Sequence, residues 1–486
     1  MDTSGNENFA FLFSKFIENA NDFIWGYYLV ALLLLVGIYF SIKLLLPQIM
    51  LAKDAFKVIT ERDPSAKGNK DHISPYEALM ISMGTRVGMG TIVGMAVAIV
   101  VGGPGALVWV WIAAFLNGAV SVAENTLGQI YKSRDGGAFK GGPSYYLTKG
   151  LNAKGFAILY AIIVITIGFS FTALYSNTIY DFLRTYLPHS EGEASYLSIY
   201  VGACLAIFAG IMFFGGGRYI ARFTSYVTPF MAGLFILVSI ISILMHYEKT
   251  PEVIAMIFKS AFDFHTIFGG FAGSVIVIGI QRGLFANEAG LGSVPGASSS
   301  AHTSHPVKQG IVQAFCVFTD TVIATLSILF MLYSDTYAKL IASPGGTQIN
   351  DAMPLVRTAM FESFGIWGEY YITALVIILT STVIIGAYYV GQMNIKYLKD
   401  DKKLLFAYRV LSIIVVYTGA QISVSSAWGI ANVAMGIGAT INIIAVFLLA
   451  KVVKKALDDY KFQRKQGLNP TFSAKKLGIK NAECWD

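Results

Sequence analysis

Runs of about twenty apolar residues recur eleven times along this 486-residue chain, near positions 24 to 46, 74 to 101, 105 to 131, 154 to 181, 196 to 217, 224 to 246, 267 to 296, 309 to 333, 364 to 395, 405 to 427 and 429 to 453. A helix needs about 20 apolar residues to cross the hydrocarbon core of a bilayer, where each backbone polar group must be satisfied within the segment. The pattern predicts an all-α polytopic membrane protein with about 11 transmembrane helices. Only 13% of residues are charged, against roughly 25% in soluble domains, and no stretch is long enough for a separate soluble domain.

Two of these runs are studded with glycine: Gly84-Thr-Arg-Val-Gly-Met-Gly-Thr-Ile-Val-Gly94 and Gly279-Ile-Gln-Arg-Gly-Leu-Phe-Ala-Asn-Glu-Ala-Gly290. Each glycine costs a helix about 1 kcal/mol, and an intramembrane arginine such as Arg86 or Arg282 about 2.5 to 3.5 kcal/mol. Neither segment belongs against lipid. Both read as broken helices, and interrupted segments in corresponding positions of two halves point to the binding site of a secondary transporter. Close packing through small residues is the competing account of Gly90 and Gly94. A dinucleotide loop is excluded, because the glycine spacing is wrong and no strand precedes it.

Basic residues gather in alternate connections: Lys53 to Lys70, Lys132 to Lys154, Arg218 with Arg222, Lys399 to Lys403, and the tail from Lys454 to Lys480. By the positive-inside rule these are cytoplasmic, so the N-terminus lies outside and the C-terminus inside a cell membrane. The net charge of +7 is then a topology signal rather than a nucleic-acid footprint. The first span lacks a basic n-region and is too long for a cleaved signal. Ten spans remain after it, and they divide five and five, each half opening on a broken helix of opposite direction. The expected units are residues 1–73, with the extra helix and first inner loop; 74–247 and 248–455, the two inverted repeats; and 456–486, a basic tail.

The residues Gly102-Gly-Pro-Gly-Ala-Leu-Val-Trp-Val-Trp-Ile-Ala-Ala-Phe-Leu-Asn-Gly118 resemble the signature of the alanine or glycine:cation symporter family, the sodium:alanine symporters. Gly136-Gly-Ala-Phe-Lys-Gly-Gly-Pro-Ser-Tyr-Tyr-Leu147 and Arg282-Gly-Leu-Phe-Ala-Asn-Glu-Ala-Gly-Leu-Gly292 are similar to that family's blocks. Asn117 departs from it, standing where the signature tends to have a small residue. The resemblance places the chain in the amino acid-polyamine-organocation superfamily. It implies a five-plus-five inverted-repeat transporter core, two broken helices and one extra N-terminal helix. It also implies sodium-coupled symport of a small neutral amino acid, alanine or glycine, by alternating access.

Site residues follow from the same resemblance. Thr85, Gly88 and Gly90 at the first break, with Gly279, Gln281, Gly283 and Phe285 at the second, would line the substrate site, with Gly88 and Gly90 facing the carboxylate. Thr172 and Asn177 share a helical face of the fourth span and are further candidates, although a packing stripe explains them as well. Sodium would take carbonyls of Gly84, Val87 and Ile377 and hydroxyls of Thr380 and Ser381. For the two hydroxyls, bonding to carbonyls one turn earlier is the alternative. Arg86, Arg282 and Glu288 are gate residues or members of a fixed ion pair.

Other classes fit poorly. A channel would want rings of carbonyls or charges along a continuous pore. An enzyme would need a nucleophile with its base, or a metal cluster, and the six histidines lie at span ends or in loops. No phosphate-binding Gly-x-x-x-x-Gly-Lys loop is present, which leaves ion gradients to supply the energy. Three cysteines suggest no disulfide framework, and no segment points to an obligate protein partner.

Overall fold

The computed structural model describes residues 12, 15–61, 73–186, 191–263, 274–342, 347–348, 351–421 and 424–485. Helices account for nearly all of them; the strands among the described residues form one antiparallel hairpin, Ser133–Asp135 (β1) with Ala138–Lys140 (β2). In chain order the helices used below are α1 (Leu29–Lys43), α2 (Ala52–Ile59), α3 (Pro75–Arg86), α4 (Met89–Val101), α5 (Ala106–Ile130), α6 (Pro143–Leu151) and α7 (Lys154–Arg184). They continue with α8 (Glu191–Met245), α9 (Thr250–Ala261), α10 (Val275–Asn287), α11 (Ser293–Ser298), α12 (Pro306–Leu332), α13 (Asp335–Ile341) and α14 (Ala352–Phe364). The last four are α15 (Ile366–Leu398), α16 (Lys402–Gly419), α17 (Val424–Leu448) and α18 (Ala450–Lys465).

Eight helices among the described residues are long and apolar enough to cross a membrane, fewer than the eleven expected. Three local causes account for the difference. The run Tyr196–Met245 counts once, although Gly216, at φ 80° and ψ 174°, divides α8 into two limbs; a side chain would be strained in that region. α10 stops after 13 residues because it is interrupted. α16 is short and carries Lys402, Lys403 and Arg409.

The two interrupted helices lie at the centre. The most apolar stretch of Pro75–Val101 is 94% buried, against 33% for Tyr196–Met245, whose Ile207 and Phe230 face outward. α3 packs on α8 and α15; α7 packs on α15 and α17; α5 packs on α10 and α12. The extra helix α1 rides on α5, where a Cβ on Gly37 would come within 2.8 Å of Leu116 Cβ. That closeness is how small residues drive helix association in lipid.

Most of the basic connections meet at one end of the bundle. Lys149 pairs with Glu483 of the tail at 2.9 Å, Lys396 pairs with Asp135, and Lys140 pairs with Asp400. The three cysteines are free thiols.

Candidate functional site

The first break begins with a well-defined helix. Ser74 Oγ accepts from Glu77 N (3.1 Å), while Glu77 Oε2 accepts from Ser74 N (2.8 Å), and Pro75 occupies the first turn, a capping box. α3 ends at Arg86; Val87 and Gly88 are extended, and α4 resumes at Met89. Thr91 Oγ1 donates to Arg86 O at 2.7 Å, satisfying one carbonyl that the interruption frees. Gly88 is needed for proximity, since its Cβ would lie 2.4 Å from Val383 Cγ2 on α15. A Cβ on Gly90 would stand 3.1 Å from Phe285 O, so here the two broken helices nearly touch.

The second break lies later than its glycines suggested. Gly279, Gln281, Gly283 and Phe285 are all helical, within α10. Gly279 and Gly283 face α5: a Cβ on Gly279 would meet Trp109 Cβ at 2.6 Å and Ala106 O at 2.7 Å. Their work in this structure is close helix packing. The irregular backbone is Glu288 (φ 50°), Gly290 (φ 95°) and Gly292 (φ 85°), after which α11 begins. A Cβ at Gly292 would stand 2.4 Å from the Tyr160 hydroxyl and 2.6 Å from Pro143.

Four side chains from other elements hold this break. Glu124 Oε1 of α5 accepts from Gly290 N at 3.2 Å, and its Oε2 accepts from Asn442 Nδ2 of α17 at 2.8 Å. Asn442 Nδ2 also donates to Gly290 O at 2.9 Å, and Tyr146 donates to Asn442 Oδ1. Tyr160 donates to Leu291 O at 2.9 Å. Glu124, Asn442, Tyr146 and Tyr160 are buried. None of the four was among the expected site residues. Glu124 had the clearest signal, an ionisable residue within an apolar span, which is expensive unless partnered; Asn442, a carboxamide in a later span, had a weaker one.

Between the breaks lies a small, partly open cavity. Its polar lining is Thr85, Glu288 and Ser293; its apolar walls are Val164, Ile167 and Phe171 of α7 and Val383, Ala387 and Val390 of α15. Ser293 Oγ donates to Glu288 Oε2 at 2.5 Å, and Thr85 Oγ1 donates to Ser82 O at 2.8 Å. Thr172 is buried with its hydroxyl bonded to Gly168 O, one turn earlier, at 2.7 Å. Asn177 is buried nearly two turns beyond Phe171 and, like Thr172, is not among the cavity-lining residues.

The expected cation ligands divide. Ser381 Oγ donates to Ile377 O at 2.7 Å, the internal bond that competes with coordination. Thr380 Oγ1 is buried with no hydrogen-bond partner among the described residues. Thr382 is the hydroxyl that reaches α3: its Oγ1 donates to Leu379 O at 2.7 Å and to Gly84 O at 3.3 Å. Val87, with its neighbour Gly88, lies where α3 has unwound.

The buried charges are partnered separately. Arg86 Nε lies 3.8 Å from Asp320 Oδ2 on α12, and its Nη1 donates to Gln313 O at 3.4 Å. Arg282 stacks its guanidinium 5.3 Å from the centre of the Phe285 ring. Trp25, preceding α1, stacks on the same ring at 5.9 Å.

The profile of the sodium:alanine symporter family matches residues 10–474. The chain belongs to that family. It is a multi-pass membrane transporter with the sequence blocks and interrupted helices expected of one. The probable sodium/glutamine symporter GlnT of Bacillus subtilis (strain 168) is 39% identical over 96% of this chain and 95% of its own. The amino-acid carrier protein AlsT of the same organism is 38% identical over 98% of both chains. In fold, the crystal structure of MhsT in complex with L-phenylalanine is similar with a TM-score of 0.58 at 16% identity, covering 85% of this chain and 96% of that one.

Proposed function

We propose that this family member takes up a small neutral amino acid, alanine or glycine, together with sodium, by alternating access. The observation that carries the reading is the cavity between two interrupted helices, bordered by Thr85, Glu288 and Ser293 of the breaks and walled almost wholly by apolar surface along α7 and α15. A small amino acid offers an apolar side chain to those walls and charged ends to the backbone of the breaks. Its carboxylate suits the start of α4, where Gly88 and Gly90 bring free N–H groups close and the helix dipole is positive. Its ammonium suits the Glu288 carboxylate and the carbonyls freed at the second break. The short side chain then lies against Ile167, Phe171 and Val383.

Sodium is a hard cation and wants oxygen. Carbonyls of Gly84 and Val87 with the hydroxyls of Thr380 and Thr382 supply it, and the unpartnered Thr380 hydroxyl is the feature that favours a guest there. Ser381, bonded to Ile377 O within its own helix, stands outside this set.

Residues 74–247 and 248–455 are read as the inverted halves, each opening on a broken helix. Ordinary positive-inside bias puts the basic end, with the tail, in the cytoplasm.

The test is uptake of labelled alanine into proteoliposomes. One inward sodium contributes about 2.3 kcal/mol per 100 mV, so accumulation should collapse when choline replaces sodium. Equal uptake driven by protons in sodium-free buffer would overturn the sodium assignment. Excess unlabelled glutamine that competes as well as alanine would move the substrate to a longer side chain.

A further inference from the structure

The chain beyond α18 folds back across the basic end of the bundle. Pro470, Phe472 and Ala474 are buried at alternate positions, and Ile479, Ala482 and Trp485 are buried after a turn. This segment is therefore a docked strap with one apolar face. Its first half lies along the connection between α11 and α12: Phe472 N donates to Ser304 O at 3.0 Å, and Ser304 Oγ donates to Pro470 O at 2.8 Å.

Its second half ends on a buried cation. Trp485 Nε1 donates to Gln129 O at 2.7 Å, and its ring lies 4.7 Å from the Lys132 ammonium. That ammonium also lies 3.9 Å from the Phe139 ring and donates to Ala301 O at 3.0 Å, just past α11. Gln129 Nε2 donates to Ser298 O, the last residue of α11, at 2.6 Å. One residue beyond Ala301, His302 N donates to Ile73 O at 2.9 Å, immediately before the cap of α3. The strap thus braces the end of the second broken helix through Gln129, Lys132 and Ser304, and that end is bonded in turn to the residue before the cap of α3.

We propose that this strap is a latch on the basic side of the transporter, holding the termini of α3 and α11 together while the site is closed to that side and releasing when it opens. The inference rests on the alternating-access reading above, because a protein that never opens that end has no use for release. Transport through the cavity requires α3 and α11 to part at this end. Ser304, Gln129, Lys132 and Ala301 must then change neighbours, and the strap spans all of them.

Cys484 reports on the latch directly. It is half-buried, with Sγ donating to Lys132 O at 3.4 Å, so undocking exposes it. In nanodiscs, where both faces meet solvent, maleimide labelling of Cys484 is measured in a Cys204→Ser background, Cys316 being buried. Labelling should be roughly tenfold faster in sodium plus alanine than in choline, the order of change expected when cation–π and hydrogen-bond contacts are released. Trp485→Ala should label fast in both buffers and raise the alanine KM severalfold.

Equal labelling rates in the two buffers for the unaltered strap would overturn the proposal. So would a chain ending at Lys465 that transports with the KM and maximal rate of the full chain. Absence of sodium-driven uptake by the full chain is read separately and sinks the transport reading instead.

Discussion

Asn442 gives both hydrogens of its carboxamide to the second break, one to Gly290 O and one to the Glu124 carboxylate that holds Gly290 N. Replacing it by alanine leaves a buried carbonyl and a buried carboxylate each short of a donor, at about 1 to 3 kcal/mol. Asn442→Ala should insert but lose at least tenfold in alanine uptake, with a lowered melting temperature of the purified protein. Normal uptake would show that the bracket around Gly290 is dispensable. The neighbouring hydroxyls on α15 separate in the same way. Thr382→Ala removes the group that meets Gly84 O and should raise the half-saturating sodium concentration severalfold. Ser381→Ala, losing a bond internal to its helix, should leave it nearly unchanged. A reversed order of the two effects would return the cation to Ser381.

At the scale of elements, glycine does two different things that the sequence writes with the same letter. Gly290 and Gly292 adopt positive φ, so they mark the interruption itself. Gly279 and Gly283 only let α10 approach α5. Spacing alone could not separate them, because the distinction depends on which neighbour sits where the Cβ would be. The existence of both broken helices was legible; of the residues expected to bind substrate, Thr85 lines the central cavity, and Glu288, expected as a gate or ion-pair member, lines it too. The facing of α15 was not: positions 379, 382, 383 and 386 line α3, one helical stripe, and a run of three hydroxyls leaves that stripe undetermined. Gly88 tests the contact. Gly88→Ala places a Cβ 2.4 Å from Val383 Cγ2 and should abolish most uptake, whereas Gly88→Ala with Val383→Ala should recover a measurable part. Failure of the second change to help would mean that Gly88 serves the ligand rather than the packing.

Over the whole molecule, composition and charge made the membrane class and the basic end readable, since both follow from transfer energies that act residue by residue. The contacts made across that end were unreadable, because they join residues hundreds of positions apart. His305 is an example: Val307 N donates to its Nδ1 at 3.2 Å, so Nε2 carries the proton and faces Asp459 Oδ2 at 3.3 Å. Burial and the neighbouring Lys308 ammonium push this imidazole down to about 3 from an ordinary value of 6.5. A histidine depressed in the folded state stabilises above its unfolded value and loses that contribution as pH falls from about 6.5 towards about 3. The melting temperature of the purified protein should therefore drop as pH is lowered through that window, and His305→Gln should flatten the drop. An unchanged slope in the variant would place the titrating group elsewhere.

The bracket around Gly290 also sets an order of assembly. Glu124 enters the membrane with the second quarter of the chain and Gly290 some 166 residues later, but Asn442 follows a further 152 residues behind. Until α17 arrives, the ribosome has delivered an irregular stretch of backbone into lipid with the carbonyl of Gly290 unpaired, a state that costs several kcal/mol for each such group. Every nascent chain passes through this interval. The span that carries Asn442 therefore completes a segment made long before it, and a polypeptide cut short of Asn442 should be degraded faster in cells than the full chain.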